Sequence, residues 1–316
     1  MSIVPDHLSP VDFGRKLLET GDLDPVYVML HEGMGGVVIL HPGGWPAASC
    51  PRTFKDTSQL ARWLVAYWCF YHSGLSSWLS EHEGPAFWRA CECVVKGLDP
   101  PEEICAARGL DPLGSWPRGT ERRHFRGKAA VESVSWLEAY YPNPESMVTD
   151  LCKGEPTLAA VRKRVEKHYG FGPWISFKVA DMLERIMGYP VQFGEDALDM
   201  FDSPLQGARD LRAALGWDVE PDDPKCVRSA VNYLLDNLGA LKAPPDYQRQ
   251  INIQEVETIL CKFHSHLSGH YPVGKDTHET ALSLAGWGET AAGLLKAVER
   301  RMCFDAQLKR LGHEHA

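Results

Sequence analysis

From Val161 to Asp196 the chain reads VRKRVEKHYGFGPWISFKVADMLERIMGYPVQFGED. Arg162, Lys163, Arg164 and Lys167 open the stretch on a helix, and a tight turn follows at Gly170-Phe171-Gly172-Pro173. Beyond it the apolar positions Ile175, Val179, Met182, Leu183 and Ile186 recur at spacings of three and four, the pattern of a buried helical stripe. Two glycines in a short turn permit positive φ and leave backbone N–H groups bare at the start of the second helix. An anionic group fits against that positive end of the helix dipole. The alternative reading is an ordinary αα-hairpin with a solvated basic face.

Basic helix, glycine hairpin and helix together resemble the helix-hairpin-helix element of DNA glycosylase folds, which holds a DNA phosphate in this way. On that resemblance the element spans about residues 161–188, and Gly170, Gly172, Lys167 and Lys178 are the candidate DNA-binding residues. DNA glycosylases of this kind carry a functional aspartate downstream of the glycine turn, which here points to Glu195 or Asp196. The spacing in this chain is longer than theirs, and acidic residues in a first helical turn also simply favour the helix dipole.

A chain of 316 residues can bury a large core, as one domain or two. Its 44% hydrophobic residues and ten tryptophans fit a compact globular protein, and no apolar run reaches the ~20 residues that span a bilayer. The start MSIVPDHLSP has neither a basic region nor an apolar signal core. Nine cysteines are scattered, with only Cys91 and Cys93 close together, which is neither a disulfide framework nor a CxxC metal knuckle. A reduced cytoplasm is the expected location. The net charge of -9 argues against coating nucleic acid by bulk electrostatics. It leaves room for a local basic groove, because the basic residues gather at 118–128 and 162–167 while acidic runs such as Asp218–Asp223 lie elsewhere.

Residues 1–56 read as an N-terminal arm, with a helix over Val11–Glu19 and a β-hairpin pairing Val26–Leu30 with Val37–Leu40. The GMGG between those runs is not followed by a helix in a βαβ unit, so it is not a nucleotide loop. From Thr57 to residue 316 a helical catalytic domain is expected, and the fold class is mainly α. TSQLARWLVAYWCFYHSGLSSWLSEH begins at a Thr or Ser cap and is aromatic on several sides, as a central buried helix would be. His72 within it reads as a core histidine. Further helices are expected over Pro85–Lys96, over Ala129–Tyr141 and, as a pair, between Leu205 and Leu241, with APPDYQ as a linker.

Two more clusters carry chemistry. Arg118, Arg122, Arg123, Arg126 and Lys128 are interleaved with His124 and Phe125. Arginine forks bind phosphate bidentately and aromatics stack on bases, so this is a second candidate anion site; otherwise it is a solvated helix start in which Glu121 pairs with an arginine. In VETILCKFHSHLSGHYPVGKDTHETA, residues 256–281, Lys262, His264, His266, His270, Lys275, Asp276 and His278 crowd together. His264 and His266 are two apart, on different helical faces, and no third ligand has a usual zinc spacing, so no metal is expected. A loop GHYPVGKD offering Lys275 and backbone N–H groups to phosphate, with Asp276 as acid or base, suits the residues better. It lacks the GxxxxGK[ST] pattern of an ATP-binding loop.

YWCFYHSGL, ERRHFRG and CKFHSHLSGHYPVGKD, spread over about residues 57–282, resemble the alpha-glutamyl/putrescinyl thymine pyrophosphorylases and the related amino acid:DNA transferases of bacteriophages. The resemblance implies an all-α fold akin to helix-hairpin-helix DNA glycosylases and action on a modified thymine in double-stranded DNA, in the cytoplasm of an infected bacterium. A kinase first makes 5-(pyrophosphoryloxymethyl)uracil, and a protein of this family then replaces the pyrophosphate with a free amino acid or amine. No cofactor and no membrane are implied. Arg122, Arg123, Arg126 and Lys275 suit the departing charge. His270, His264 or Asp276 suit deprotonation of the nucleophile, with Asp196 at the glycosylase-like position. The arginine cluster and the GHYPVGKD loop are expected to converge on one pocket. The 5-substituent lies in the major groove, so base flipping is compatible but not required. Two rival classes remain: a glycosylase for a modified base, which predicts abasic sites, and a non-catalytic DNA-binding module, which predicts tight binding indifferent to Lys275 and His270.

Overall fold

The computed structural model describes residues 8–35, 53–98, 116–119, 122, 124–194, 197, 202–217, 224–245 and 247–310. The expected mainly α class holds: no strand forms among the described residues, and Lys242 and Gln250 make an isolated antiparallel bridge. The chain divides into two compact units, one of residues 1–28 with 192–279 and the other of residues 29–191 with 280–316.

The expected β-hairpin is corrected at its first strand. Val26–Leu30 lie inside a helix, α2 (Pro25–Met34), which follows α1 (Pro10–Thr20). Pro25 occupies the first position, where its missing N–H is no loss, and the N–H groups of Tyr27 and Val28 both donate to Asp24 O. A half-buried strand hides alternate residues, whereas Tyr27, Val28, Met29 and Leu30 are buried in succession. Burial all round overrides the β-preference of Val and Tyr. The second run, Val37–Leu40, lies outside the described residues.

In the larger unit, α3 (Thr57–Phe70) is capped by Asp56, whose carboxylate accepts from Gln59 N, and is buried along nearly its whole length. It is the expected central helix, but it ends earlier than its apolar run suggests. Tyr71 turns left-handed at φ 51°, and His72 caps a new helix, α4 (Ser73–Ser80), by accepting from Leu75 N at 3.1 Å. The break is held from outside: Gly119 N donates to Phe70 O, and a Cβ on Gly119 would stand 2.1 Å from Tyr71 O. Then come α5 (Pro85–Lys96), α6 (Gly127–Tyr140), α7 (Pro144–Leu151), α8 (Leu158–Val165) and α9 (Pro173–Arg185). Trp63, Trp68, Phe70, Phe87, Trp88 and Phe177, each fully buried, form the aromatic core of this unit. Such rings dominate core energetics, each worth roughly 3 kcal/mol of transfer free energy.

In the smaller unit α1 joins α10 (Asp202–Ala214), α11 (Pro224–Leu238) and α12 (Ile253–Leu267), with α13 (Lys275–Leu284) crossing the boundary near residue 279. Phe13, Leu17, Leu211, Leu234, Leu238, Ile259 and Phe263 lie in its core. Helix α12 starts in a full capping box, Asn252 with Glu255. Helix α10 lies close against α12 at Gly207, where a Cβ would fall 1.9 Å from Leu260 O. That contact sets which side chains of the two helices meet one turn further on. The last helix, α14 (Glu289–Arg310), belongs to the larger unit.

Candidate functional site

Helix α8, capped by Thr157, ends at Val165 before Lys167, which was expected on the helix, and the chain leads through an exposed turn at Gly170 and Gly172 into the 13-residue α9. The two glycines do different work. Gly170 sits at φ +81°, and a Cβ there would press on Ser133 Oγ at 3.0 Å. Gly172, expected to share that need for positive φ, is the N-cap at φ -96° with open space where a Cβ would be. No side chain caps α9, and Pro173 at its first position brings no N–H, so the remaining first-turn N–H groups have no partner within the helix. Lys163 and Lys167 are exposed, and Lys178 is half-buried over the Phe177 ring at 5.3 Å. Arg164 faces inward, donating to Leu151 O and Glu155 O.

Beneath the turn lies His168, 4% exposed, with Nδ1 2.8 Å from Val165 O and Nε2 3.2 Å from the Tyr141 hydroxyl. Burial lowers the His168 pKa and pushes Tyr141 up to about 12. A neutral imidazole donating from Nδ1 and a neutral phenol donating to Nε2 satisfy both groups.

The arginine cluster separates into inward and outward members. Arg122, 8% exposed, donates from Nε to Cys69 O at 3.0 Å and from Nη1 to Gly170 O at 3.1 Å, with its guanidinium 4.2 Å from the Phe125 ring centre. Arg122, expected as a pyrophosphate ligand, thus braces the hairpin from within through these two donors. Arg118 gives its donors to Phe125 O, Trp116 O and Val94 O, and burial depresses its pKa to about 10. Arg126 is exposed at the N-cap of α6, and Lys128 is exposed near Glu132. Arg123, Glu121 and Asp196 lie outside the described residues.

The GHYPVGKD loop belongs to the smaller unit, and each cluster is set by its own unit. Its backbone was expected to offer N–H groups to phosphate, and here the structure corrects the reading. His270 N and Tyr271 N donate to Ser265 O, Lys275 N to Pro272 O, and fully buried Asp22 takes Gly274 N: its Oδ2 accepts from Gly274 N at 2.8 Å and Tyr271 OH at 2.9 Å, and its Oδ1 from Thr277 N at 2.8 Å and Thr277 Oγ1 at 2.9 Å, just past the loop. Burial, then the nearby carboxylates Asp276 and Asp22, raise the Tyr271 pKa. Lys262 ties the loop further, donating to Asp22 O and Leu23 O and pairing with Asp276 at 2.7 Å. Lys275 donates to His270 O at 3.0 Å and lies 3.8 Å from Glu279. His270 is exposed, with Nδ1 3.0 Å from Ser268 Oγ, and His266 Nδ1 lies 2.9 Å from Tyr271 O.

His264 differs from these. It projects from the last turn of α12, and its Nδ1 lies 2.7 Å from Asp210 Oδ2 on α10. Their side chains are 44% and 23% exposed. Asp22 and Asp210 both escaped sequence reading. Each meets its partners across a long loop, and no periodicity marks such a pair; Gly207, a glycine inside a helix, was the one local sign of a close approach. Among the described residues no three His, Cys, Asp or Glu gather as a metal site, and no helix is long and apolar enough to cross a membrane.

Comparison with known proteins adds three findings. The family model described as "Amino acid:DNA transferase" matches residues 46–271. A glycinyltransferase of Pseudomonas phage PaMx11 is 37% identical over 317 residues, spanning 93% of this chain and 97% of the relative. A putrescinyltransferase of Delftia phage PhiW-14 is 25% identical over 288 residues, spanning 89% of this chain and 80% of the relative.

Proposed function

The chain belongs to the amino acid:DNA transferase family and is a transferase acting on DNA; from that premise we propose that it displaces pyrophosphate from 5-(pyrophosphoryloxymethyl)uracil in duplex DNA and joins an amino acid or amine to that carbon. The two relatives are named for glycine and for putrescine, which share a primary amine. Glycine, from the relative at 37% identity, is the first nucleophile to try. The reaction takes place on phage DNA in the cytoplasm of the infected host.

The single observation that carries the DNA half of this reading is the uncapped start of α9 at the exposed Gly172; Lys163 and Lys167, earlier in the hairpin, are also exposed. A DNA phosphate there receives backbone N–H groups and the helix dipole together, a contact that positions the duplex without reading its sequence. The chemistry needs a cationic surface for the departing pyrophosphate, for which Arg126 and Arg123 remain on the arginine side and Lys275 in the other unit. It also needs an acceptor for the amine's proton, for which His264, His270 and Asp276 are the candidates.

The test is incubation of the protein with duplex DNA bearing the pyrophosphorylated base and glycine, followed by nucleoside mass spectrometry. A glycine adduct of the base with release of pyrophosphate is the expected product. Abasic sites would instead establish a glycosylase, and bound but unchanged DNA a non-catalytic module.

A further inference from the structure

We infer that Asp210 is a positioning residue that turns His264 into the proton acceptor for the incoming amine, an inference that rests on the transfer reading above. The arrangement is built by the backbone. Gly207 lets α10 lie directly on the Leu260 carbonyl of α12. One turn further along each helix, Asp210 and His264 meet at 2.7 Å. The second oxygen of Asp210 is held at 3.2 Å by Gln206 Nε2, from the preceding turn of α10. The carboxylate is thus fixed on both oxygens, and a carboxylate facing Nδ1 requires that nitrogen to carry the proton. The lone pair then stays on Nε2, the outer nitrogen of a ring 44% exposed to solvent.

His264 is set apart from the other two candidates by what each already holds. Asp276 is already engaged with the Lys262 ammonium at 2.7 Å, so its oxygen there is not open to the amine. His270 faces a serine hydroxyl, which does not stabilise an imidazolium as a carboxylate does. The Asp210 carboxylate does so, as carboxylates behind catalytic and metal-binding imidazoles do.

The step balances as follows. A primary amine is mostly an ammonium ion at neutral pH, so one proton must leave before its lone pair is free. His264 Nε2 takes that proton. The lone pair forms the new C–N bond while the C–O bond to pyrophosphate breaks and its electron pair leaves with the pyrophosphate. The product is a protonated secondary amine on the base, pyrophosphate, and a proton on His264.

The experiment uses the full chain with duplex DNA bearing the pyrophosphorylated base, and two nucleophiles: glycine, and methoxyamine, which is already unprotonated at neutral pH. With glycine, His264→Gln should lower kcat by about 10²–10⁴-fold. Asp210→Asn should lower it by about 10–100-fold, with Asp210→Glu recovering part of that loss. The KM for DNA should stay within about threefold of wild type for all three. With methoxyamine the losses should shrink to less than about a third of their logarithm, because no proton has to be removed first. Equal losses with both nucleophiles, or full activity in His264→Gln, would overturn the assignment. A wild-type protein that forms no adduct with either nucleophile sinks the transfer reading itself, and this inference with it.

Discussion

Two glycine turns in this chain run into helices beside basic residues, and in sequence they look alike: Gly170-Phe171-Gly172-Pro173 before α9, and Pro272-Val273-Gly274-Lys275 before α13. In the structure they are opposites. At α9 no side chain caps the helix, and the space beyond Gly172 is open. At α13 the buried carboxylate of Asp22 already holds Gly274 N, Thr277 N and Thr277 Oγ1. A helix start attracts an anion in either case. The difference is whether the protein supplies that anion from its own chain. Where it does, the turn is a structural joint that ties the segment after α1 to the segment after α12. Where it does not, the turn is free to hold a phosphate.

The largest expected effect comes from opening the closed turn. Asp22→Ala strands the Tyr271 hydroxyl and the donors of Gly274 and Thr277, and should lower stability by about 3–5 kcal/mol. Acetate, filling the vacated place, should return part of the lost urea midpoint in the variant and none in wild type. An unchanged midpoint would mean that the carboxylate is not the anchor.

Removing the brace of the open turn comes next. Arg122→Met leaves Cys69 O and Gly170 O without their donor and should cost about 2–3 kcal/mol in chemical denaturation. The side chain faces inward, so duplex DNA affinity measured well below the unfolding midpoint should change less than the stability does. A large loss of affinity in a fully folded variant would return Arg122 to the role of anion ligand.

The two glycines of the open turn then sharpen the comparison between themselves. Gly170→Ala forces a side chain into positive φ and against Ser133, and should cost about 1–2 kcal/mol. Gly172→Ala should stay within about 0.5 kcal/mol of wild type. Gly172→Glu, placing a like charge where the phosphate should sit, should weaken duplex binding by about tenfold or more and flatten its salt dependence. Wild-type affinity in a folded Gly172→Glu protein would make the turn purely structural.

The smallest effect is a pH drift. His168 has a folded pKa lowered, chiefly by burial, from the ordinary 6.5. Above 6.5 the ring is neutral folded and unfolded, and contributes no pH dependence. As pH falls below 6.5 the unfolded chain takes up a proton that the folded ring resists, so stability declines until the lower folded pKa is passed. His168→Gln should remove that part of the slope from urea midpoints taken between pH 7 and pH 5. An identical slope in the variant would assign the drift to other groups.

What the sequence determined by itself is the part written in local periods. The amphipathic spacing after Pro173 and the proline and glycine punctuation specify helices, because those signals act within a few residues, although the cap expected at Thr57 or Ser58 falls one residue earlier, on Asp56. The long motifs also pointed to the family. What only the tertiary structure decided is how charge is spent. Arg118 and Arg122 turn inward onto carbonyls, Asp22 fills a helix start far away in the chain, and Asp210 meets His264 because Gly207 lets two helices touch. The same physics moved Val26–Leu30 from a strand into a helix, since burial on all sides outweighs an intrinsic preference. A lone arginine, aspartate or glycine codes for none of these outcomes. Its role depends on which partner reaches it from elsewhere in the chain, and only the packed fold sets that distance.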